Sequence, residues 1–157
     1  MTFPLSRSTQ ACEQTEALGQ ELAEAILADA SLPRFVALYG DLGVGKTAFV
    51  RGFTRAIAPD AGVRSPTFAL VNEYRAKREG KPFSVFHFDM YRITDEDDLY
   101  SIGFYDYPQR AGICIAEWCE NIPYAIPEEC ICVRIEKTDL SLPQCRLITV
   151  CLGRETN

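Results

Sequence analysis

Gly40-Asp41-Leu42-Gly43-Val44-Gly45-Lys46-Thr47 constrains this chain more than any other stretch, because it fits G-x-x-x-x-G-K-[ST] at every fixed position. Its flanks have the order that the motif needs. Phe35–Tyr39 is a short, continuously apolar run, which predicts a buried strand of a parallel sheet. From about Lys46 to Ala58 the pattern predicts a helix. Glycines let the backbone curl so that successive N–H groups point inward and no Cβ blocks a phosphate. The helix that follows offers its free N–H groups and positive dipole end to an anion. The expected nucleotide-binding run is therefore Asp41, Leu42, Gly43, Val44, Gly45, Lys46, Thr47 and Ala48. Lys46 supplies a mobile cation for the β- and γ-phosphates of a nucleoside triphosphate, and the Thr47 hydroxyl a ligand for Mg²⁺.

The remaining chain alternates helices and strands in its first half, and strands dominate the second. A short extended start precedes a helix predicted over about Ser8–Asp29, with Leu18, Leu22, Ala25 and Ile26 on one face. Extended segments are predicted at Phe68–Tyr74 and Phe83–Arg92, separated by a polar turn over Ala76–Pro82. Thr94-Asp95-Glu96-Asp97 opens a short acidic helix, with Thr94 as its expected cap and Gly103 closing it. Ile113–Ala116 reads as a buried strand, and Ile131–Glu136 and Leu147–Leu152 as two more. The class is α/β with a central sheet. At 157 residues without a linker or repeat, one domain over 1–157 is expected, large enough to hide roughly two-thirds of its unfolded surface.

Composition narrows the function. Sixteen Lys and Arg against 22 Asp and Glu leave a net charge of −6, which argues against gripping nucleic acid unaided. No apolar run approaches the ~20 residues of a membrane span, and Met1–Arg7 lacks the basic start and apolar core of a signal peptide, so a cytoplasmic location is expected. The seven cysteines (12, 114, 119, 130, 132, 145, 151) are scattered, and the chain has one C-x-C and a single histidine. That pattern fits reduced, mostly buried thiols rather than a zinc site.

Phosphoryl transfer also needs a carboxylate for Mg²⁺ and a group that orients the attacking oxygen. Asp89 and Glu117 each follow an apolar strand, at the carboxyl end where open α/β sheets bind ligands. Which of the two orients water stays open. His87, inside an alternating strand, reads as a packed or hydrogen-bonded structural histidine. Trp118 suits stacking or core packing equally. Arg51 and Arg55 fall on the outer turns of the helix after the glycine loop, where solvation is expected. Arg92 suits an acid or a phosphate.

Taken together the motifs resemble one family. The 40–47 loop resembles the G-D-L-G-x-G-K-T loop of the TsaE proteins, and Ser65-Pro66-Thr67-Phe68 with Leu70–Tyr74 resembles their S-P-T-[FY] switch segment. His87-Phe88-Asp89-Met90-Tyr91-Arg92 resembles H-x-D-L-Y-R, Met90 replacing the usual Leu, and Glu117-Trp118 matches the E-W pair. Gly103 and Tyr107 fall where the family has G-x-x-[DE]-Y/F. The likeness runs from about Gln14 to Gly153. It implies a P-loop NTPase-like central sheet, mostly parallel with an antiparallel C-terminal portion, flanked by helices. It also implies a small ATPase of tRNA threonylcarbamoyladenosine biosynthesis that binds a TsaB–TsaD pair, using ATP and Mg²⁺ and reaching tRNA only through that complex. By this likeness Lys46 holds phosphates, Thr47 and Glu117 serve Mg²⁺, Thr67 and Asp89 belong to the switch and catalytic apparatus, and Trp118 supports the site or a partner contact. Cys119 and the cysteines of the tail are unusual for the family.

Two other readings compete. A small-molecule kinase would normally carry a later Arg-bearing lid, but Leu99–Arg110 holds one Arg and Tyr124–Glu129 none. A nucleotide sensor without hydrolysis is disfavoured by Lys46, Thr47 and the two strand-end carboxylates. The expected reaction is attack of water on the γ-phosphate, with Lys46 and Mg²⁺ absorbing charge. Ser65–Phe68 is expected to order when the γ-phosphate is present.

Overall fold

A computed structural model describes residues 1–66 and 70–155. Its centre is a seven-stranded sheet of β1 (Leu5–Thr9), β2 (Phe35–Tyr39), β3 (Val71–Arg78), β4 (Lys81–Asp89), β5 (Gly112–Glu117), β6 (Ile131–Glu136) and β7 (Arg146–Leu152). The strand order is β1-β7-β6-β2-β5-β4-β3. The four inner strands β6, β2, β5 and β4 run parallel. Antiparallel strands flank them: β3 beyond β4, and β7 then β1 beyond β6. The α/β class and the parallel centre are as the sequence indicates. The antiparallel part is wider than the C-terminal portion expected, because the N-terminal strand and β3 belong to it.

Alternation sorts the core into two layers. Val36 and Leu38 of β2 face the helices α1 (Cys12–Ala28) and α2 (Lys46–Arg55), meeting Leu18, Leu22, Ile26, Phe49 and Phe53. Phe35, Ala37 and Tyr39 face the other way, into a cluster with Phe86, Phe88, Leu99, Phe104 and Ile122. That second face is covered by the short helix α3 (Glu96–Ser101) and by 3₁₀ turns at Phe104–Gln109, Cys119–Asn121 and Pro123–Ala125. Helices α1 and α2 touch through glycine. A Cβ on Gly52 would lie 1.8 Å from the Glu16 carbonyl oxygen, and one on Gly19 would lie 2.2 Å from that of Phe49. No helix among the described residues is long and apolar enough to cross a membrane.

Several element bounds differ from the sequence reading, each for a local reason. Ser8 and Thr9 belong to β1, paired with β7, so α1 starts only at Cys12. Helix α2 stops at Arg55, three residues short of Ala58. There the amides of Ile57 and Ala58 both donate to the Thr54 carbonyl, and Pro59 follows. The polar turn expected over Ala76–Pro82 shrinks to Glu79-Gly80, both at positive φ (55° and 76°), the twist that a two-residue hairpin prefers. The stretch reads as a turn because β3 is an edge strand that carries charge on its open side. Asp95, not Thr94, caps α3, its carboxylate accepting from the Asp98 amide at 3.1 Å. Thr94 instead donates to the Asp98 carboxylate.

Candidate functional site

The glycine loop joins β2 to α2. Gly43 and Gly45 have φ of 77° and 112°, where a side chain would be strained, and Gly45 is the N-cap of α2. Asp41, Leu42 and Gly43 are exposed at its tip; Val44 and Ala48 are buried, anchoring the two sides. Arg146 of β7 holds the loop from behind, its Nε donating to the Val44 carbonyl at 2.6 Å. The Gly40 amide donates to Glu120 Oε2 at 3.1 Å.

Lys46 is only 5% exposed. Its Nζ donates to the Gly40 carbonyl at 2.5 Å and lies 3.4 Å from the centre of the Trp118 ring. Burial pushes its pKa down, against the opposing pull of Glu120, Glu117, Asp89 and Asp41. Four carboxylates thus lie within electrostatic reach of one ammonium. Trp118 takes a left-handed backbone (φ 60°, ψ 41°), and its indole also lies against the Tyr91 ring, tilted by 53° with centres 4.9 Å apart. Thr47 Oγ1 is 3.0 Å from Ser65 Oγ.

Asp89 and Glu117 end β4 and β5 and are register partners on those parallel strands. Glu117 is buried, and its Oε2 meets His87 Nε2 at 2.5 Å. Asp89 Oδ1 accepts from the Tyr91 amide at 2.9 Å. Burial raises the Asp89 pKa; the Tyr91 amide opposes that, and the Glu117 charge reinforces it. Beside Asp89, a cleft of about 200 Å³ is lined by Ser65, Pro66, Leu70, Tyr91 and Arg92.

Lys46, Asp89 and Glu117 are therefore brought within electrostatic reach of one another at the loop. Thr67 lies outside the described residues. His87 is packed and hydrogen-bonded, and one of its two partners is the site carboxylate Glu117. Trp118 packs on Lys46. Arg51 and Arg55 are not merely solvated: both pair with Glu16 of α1, at 2.8 and 2.9 Å. Glu120 and Arg146 are site neighbours that the sequence did not single out, and Tyr74 stands there only as the end of the Leu70–Tyr74 segment, with no role of its own. Glu120 lies three residues beyond Glu117, in the turn after the same strand. The seven thiols are free; Cys114, Cys119, Cys130 and Cys132 are buried, and burial pushes the Cys114 thiol up to about 12 and that of Cys130 to about 11.

Comparison with known proteins gives these features a context. A family model described as "Threonylcarbamoyl adenosine biosynthesis protein TsaE" matches residues 9–145. A Haemophilus influenzae protein named tRNA threonylcarbamoyladenosine biosynthesis protein TsaE is 41% identical over 104 residues, covering 66% of this chain and 63% of that protein. A Bacillus subtilis protein of the same name is 35% identical over 100 residues, covering 64% and 60%. The matched stretch thus spans less than two-thirds of either relative. The crystal structure of Bacillus subtilis YdiB superposes with a TM-score of 0.69 at 27% identity, over 98% of this chain and 88% of that one.

Proposed function

This chain belongs to the TsaE family, and from that premise we propose that it is an ATP-binding and -hydrolysing subunit in tRNA threonylcarbamoyladenosine biosynthesis, acting on a TsaB–TsaD complex. One observation carries the nucleotide part of this reading. A glycine loop with two positive-φ glycines opens α2, and beside it a buried lysine faces carboxylates from two neighbouring strand ends.

The donor set suits ATP with Mg²⁺. Among the described residues no cluster of three or more His, Cys, Asp or Glu is arranged to hold a metal by itself. Mg²⁺ is ordinarily held by one or two protein oxygens together with substrate phosphates, so Thr47 and Glu117 are enough. When bound, Mg²⁺ would neutralise charge on the phosphate oxygens and orient them. The backbone of 41–48 binds the phosphates. Lys46 leaves the Gly40 carbonyl and the Trp118 face to meet the β- and γ-phosphates, where its charge counts for more in a buried site. One of Asp89 and Glu117 orients the attacking water; both carboxylates lie within electrostatic reach of Lys46. The acidic balance of the chain suits contact with tRNA through partner proteins rather than directly.

The test of the partner claim is affinity for the TsaB–TsaD pair, with and without a non-hydrolysable ATP analogue, alongside product formation in the reconstituted system. Analogue-dependent binding and a loss of modified tRNA when this chain is omitted are the expected results. Phosphate transfer to a metabolite, with no response to the pair, would favour a small-molecule kinase.

A further inference from the structure

Three buried polar groups that the reading above leaves without a role, or with only half of one, form a single string. The Arg64 amide donates to the Tyr74 hydroxyl at 3.1 Å, and that hydroxyl donates to the Arg64 carbonyl at 2.9 Å. The same hydroxyl lies 3.1 Å from His87 Nδ1, with the two rings 5.9 Å apart. His87 Nε2 then meets Glu117 Oε2. Tyr74, His87 and Glu117 are 7%, 0% and 4% exposed, so water does not compete for the bonds among these three side chains. A carboxylate only accepts, so Nε2 carries a proton toward Glu117; the single hydroxyl hydrogen of Tyr74 is shared between the Arg64 carbonyl and the His87 Nδ1 side.

Both ends of the string lie at or beside residues to which the proposed function gives Mg²⁺. Arg64 precedes Ser65, whose hydroxyl holds Thr47 Oγ1. Glu117 is the other residue assigned to Mg²⁺. Thr47, Ser65, Arg64, Tyr74, His87 and Glu117 thus form an open circuit that begins at Thr47 and ends at Glu117.

We propose that Tyr74 and His87 are positioning residues that couple the 64–66 segment to Glu117, so that a cation shared by Thr47 and Glu117 closes the circuit. The proposal rests on the Mg·nucleotide reading of this site. The imidazole, immobile in the core, fixes Oε2 of Glu117 and with it the direction of Oε1. Tyr74 passes that fixed position on to the Arg64 backbone, beside the segment that meets Thr47. Hydrogen-bond partners of ligating carboxylates commonly govern metal affinity tenfold or more. A purely structural His87 would lower stability and leave the metal's contribution to nucleotide binding unchanged.

The test uses the full chain and calorimetry of a non-hydrolysable ATP analogue, with and without Mg²⁺, together with hydrogen exchange at the Arg64 amide. Tyr74→Phe and His87→Leu should bind the metal-free analogue like the wild type. The gain in affinity from Mg²⁺ should fall about tenfold in His87→Leu. His87→Gln, whose amide can still donate to Glu117 but does not reach Tyr74, should keep most of that gain. In the wild type the Mg·analogue should slow Arg64 exchange; in Tyr74→Phe and His87→Gln it should not. Should His87→Leu fail to fold, Tyr74→Phe, which removes one oxygen from a ring that stays, decides the matter. A wild-type Mg²⁺ gain in every variant, or an unaltered Arg64 response in Tyr74→Phe, overturns the coupling and leaves the nucleotide reading intact. A wild-type affinity insensitive to Mg²⁺ overturns both.

Discussion

The Lys46 ammonium lies 3.4 Å from the centre of the Trp118 ring while donating to its own loop at the Gly40 carbonyl. This contact satisfies a buried cation before any phosphate arrives, and a partly desolvated cation–π contact is worth about 1–2 kcal/mol. Trp118 is the sole tryptophan of the chain, so its emission reports on Lys46 directly. Adding a nucleoside triphosphate with Mg²⁺ should draw the ammonium away and change that emission. Lys46→Ala should show an altered spectrum at the outset and no further change. Constant emission in the wild type, at concentrations where calorimetry records binding, would contradict this account of Lys46.

The α1–α2 contact predicts a steric cost at Gly52. A Cβ there meets the Glu16 carbonyl oxygen at 1.8 Å, and both partners are helix backbone. Gly52→Ala should cost about 3 kcal/mol in overpacking and recover about 1 in helix propensity. The net loss, read by thermal unfolding, should lower Tm by about 4–8 °C.

Glu16 ties α1 to Arg51 and Arg55 of α2. Burial alone would push its carboxyl up, but the hydrogen bonds and charges of the two arginines outweigh that and hold it below its ordinary 4.5. A depressed folded pKa adds stability above the ordinary value, lost as pH falls through the folded one. Glu16→Gln should therefore cost about 1 kcal/mol at pH 7. Denaturant titrations of the two proteins should converge as pH drops below 4.5.

Among the described residues, Thr54 Oγ1 is the buried side-chain polar atom that has no hydrogen-bond partner. Thr54→Val replaces that hydroxyl with a methyl of similar size. It should stabilise the chain by about 1 kcal/mol and raise Tm by about 3 °C. A drop in Tm would mean that the hydroxyl is satisfied in solution.

Much of this arrangement was legible in the sequence because it is local. Phe35–Tyr39 matches β2 to the residue, and the glycine loop with the helix after it follows from spacing alone. Asp89 and Glu117 were found by their place at strand ends; that they are register partners needed the strand order. What the sequence hid depends on distant pairings. Thr9 is a strand residue only because β7 lies beside it, 137 positions from its partner Arg146. Arg51 and Arg55 look solvated until α1 presents Glu16. His87 reads as an ordinary core histidine until β5 brings Glu117 alongside β4. Glu120 had no motif to mark it, since its bond to Gly40 spans 80 residues.

The central claim is tested most directly by ATP hydrolysis, measured as phosphate release from the purified chain, alone and with TsaB–TsaD, beside Lys46→Ala. Slow turnover alone, a clear rise with the pair, and a loss of about a hundredfold or more in Lys46→Ala are the predicted results. Hydrolysis by Lys46→Ala at the wild-type rate would contradict the assignment of this site.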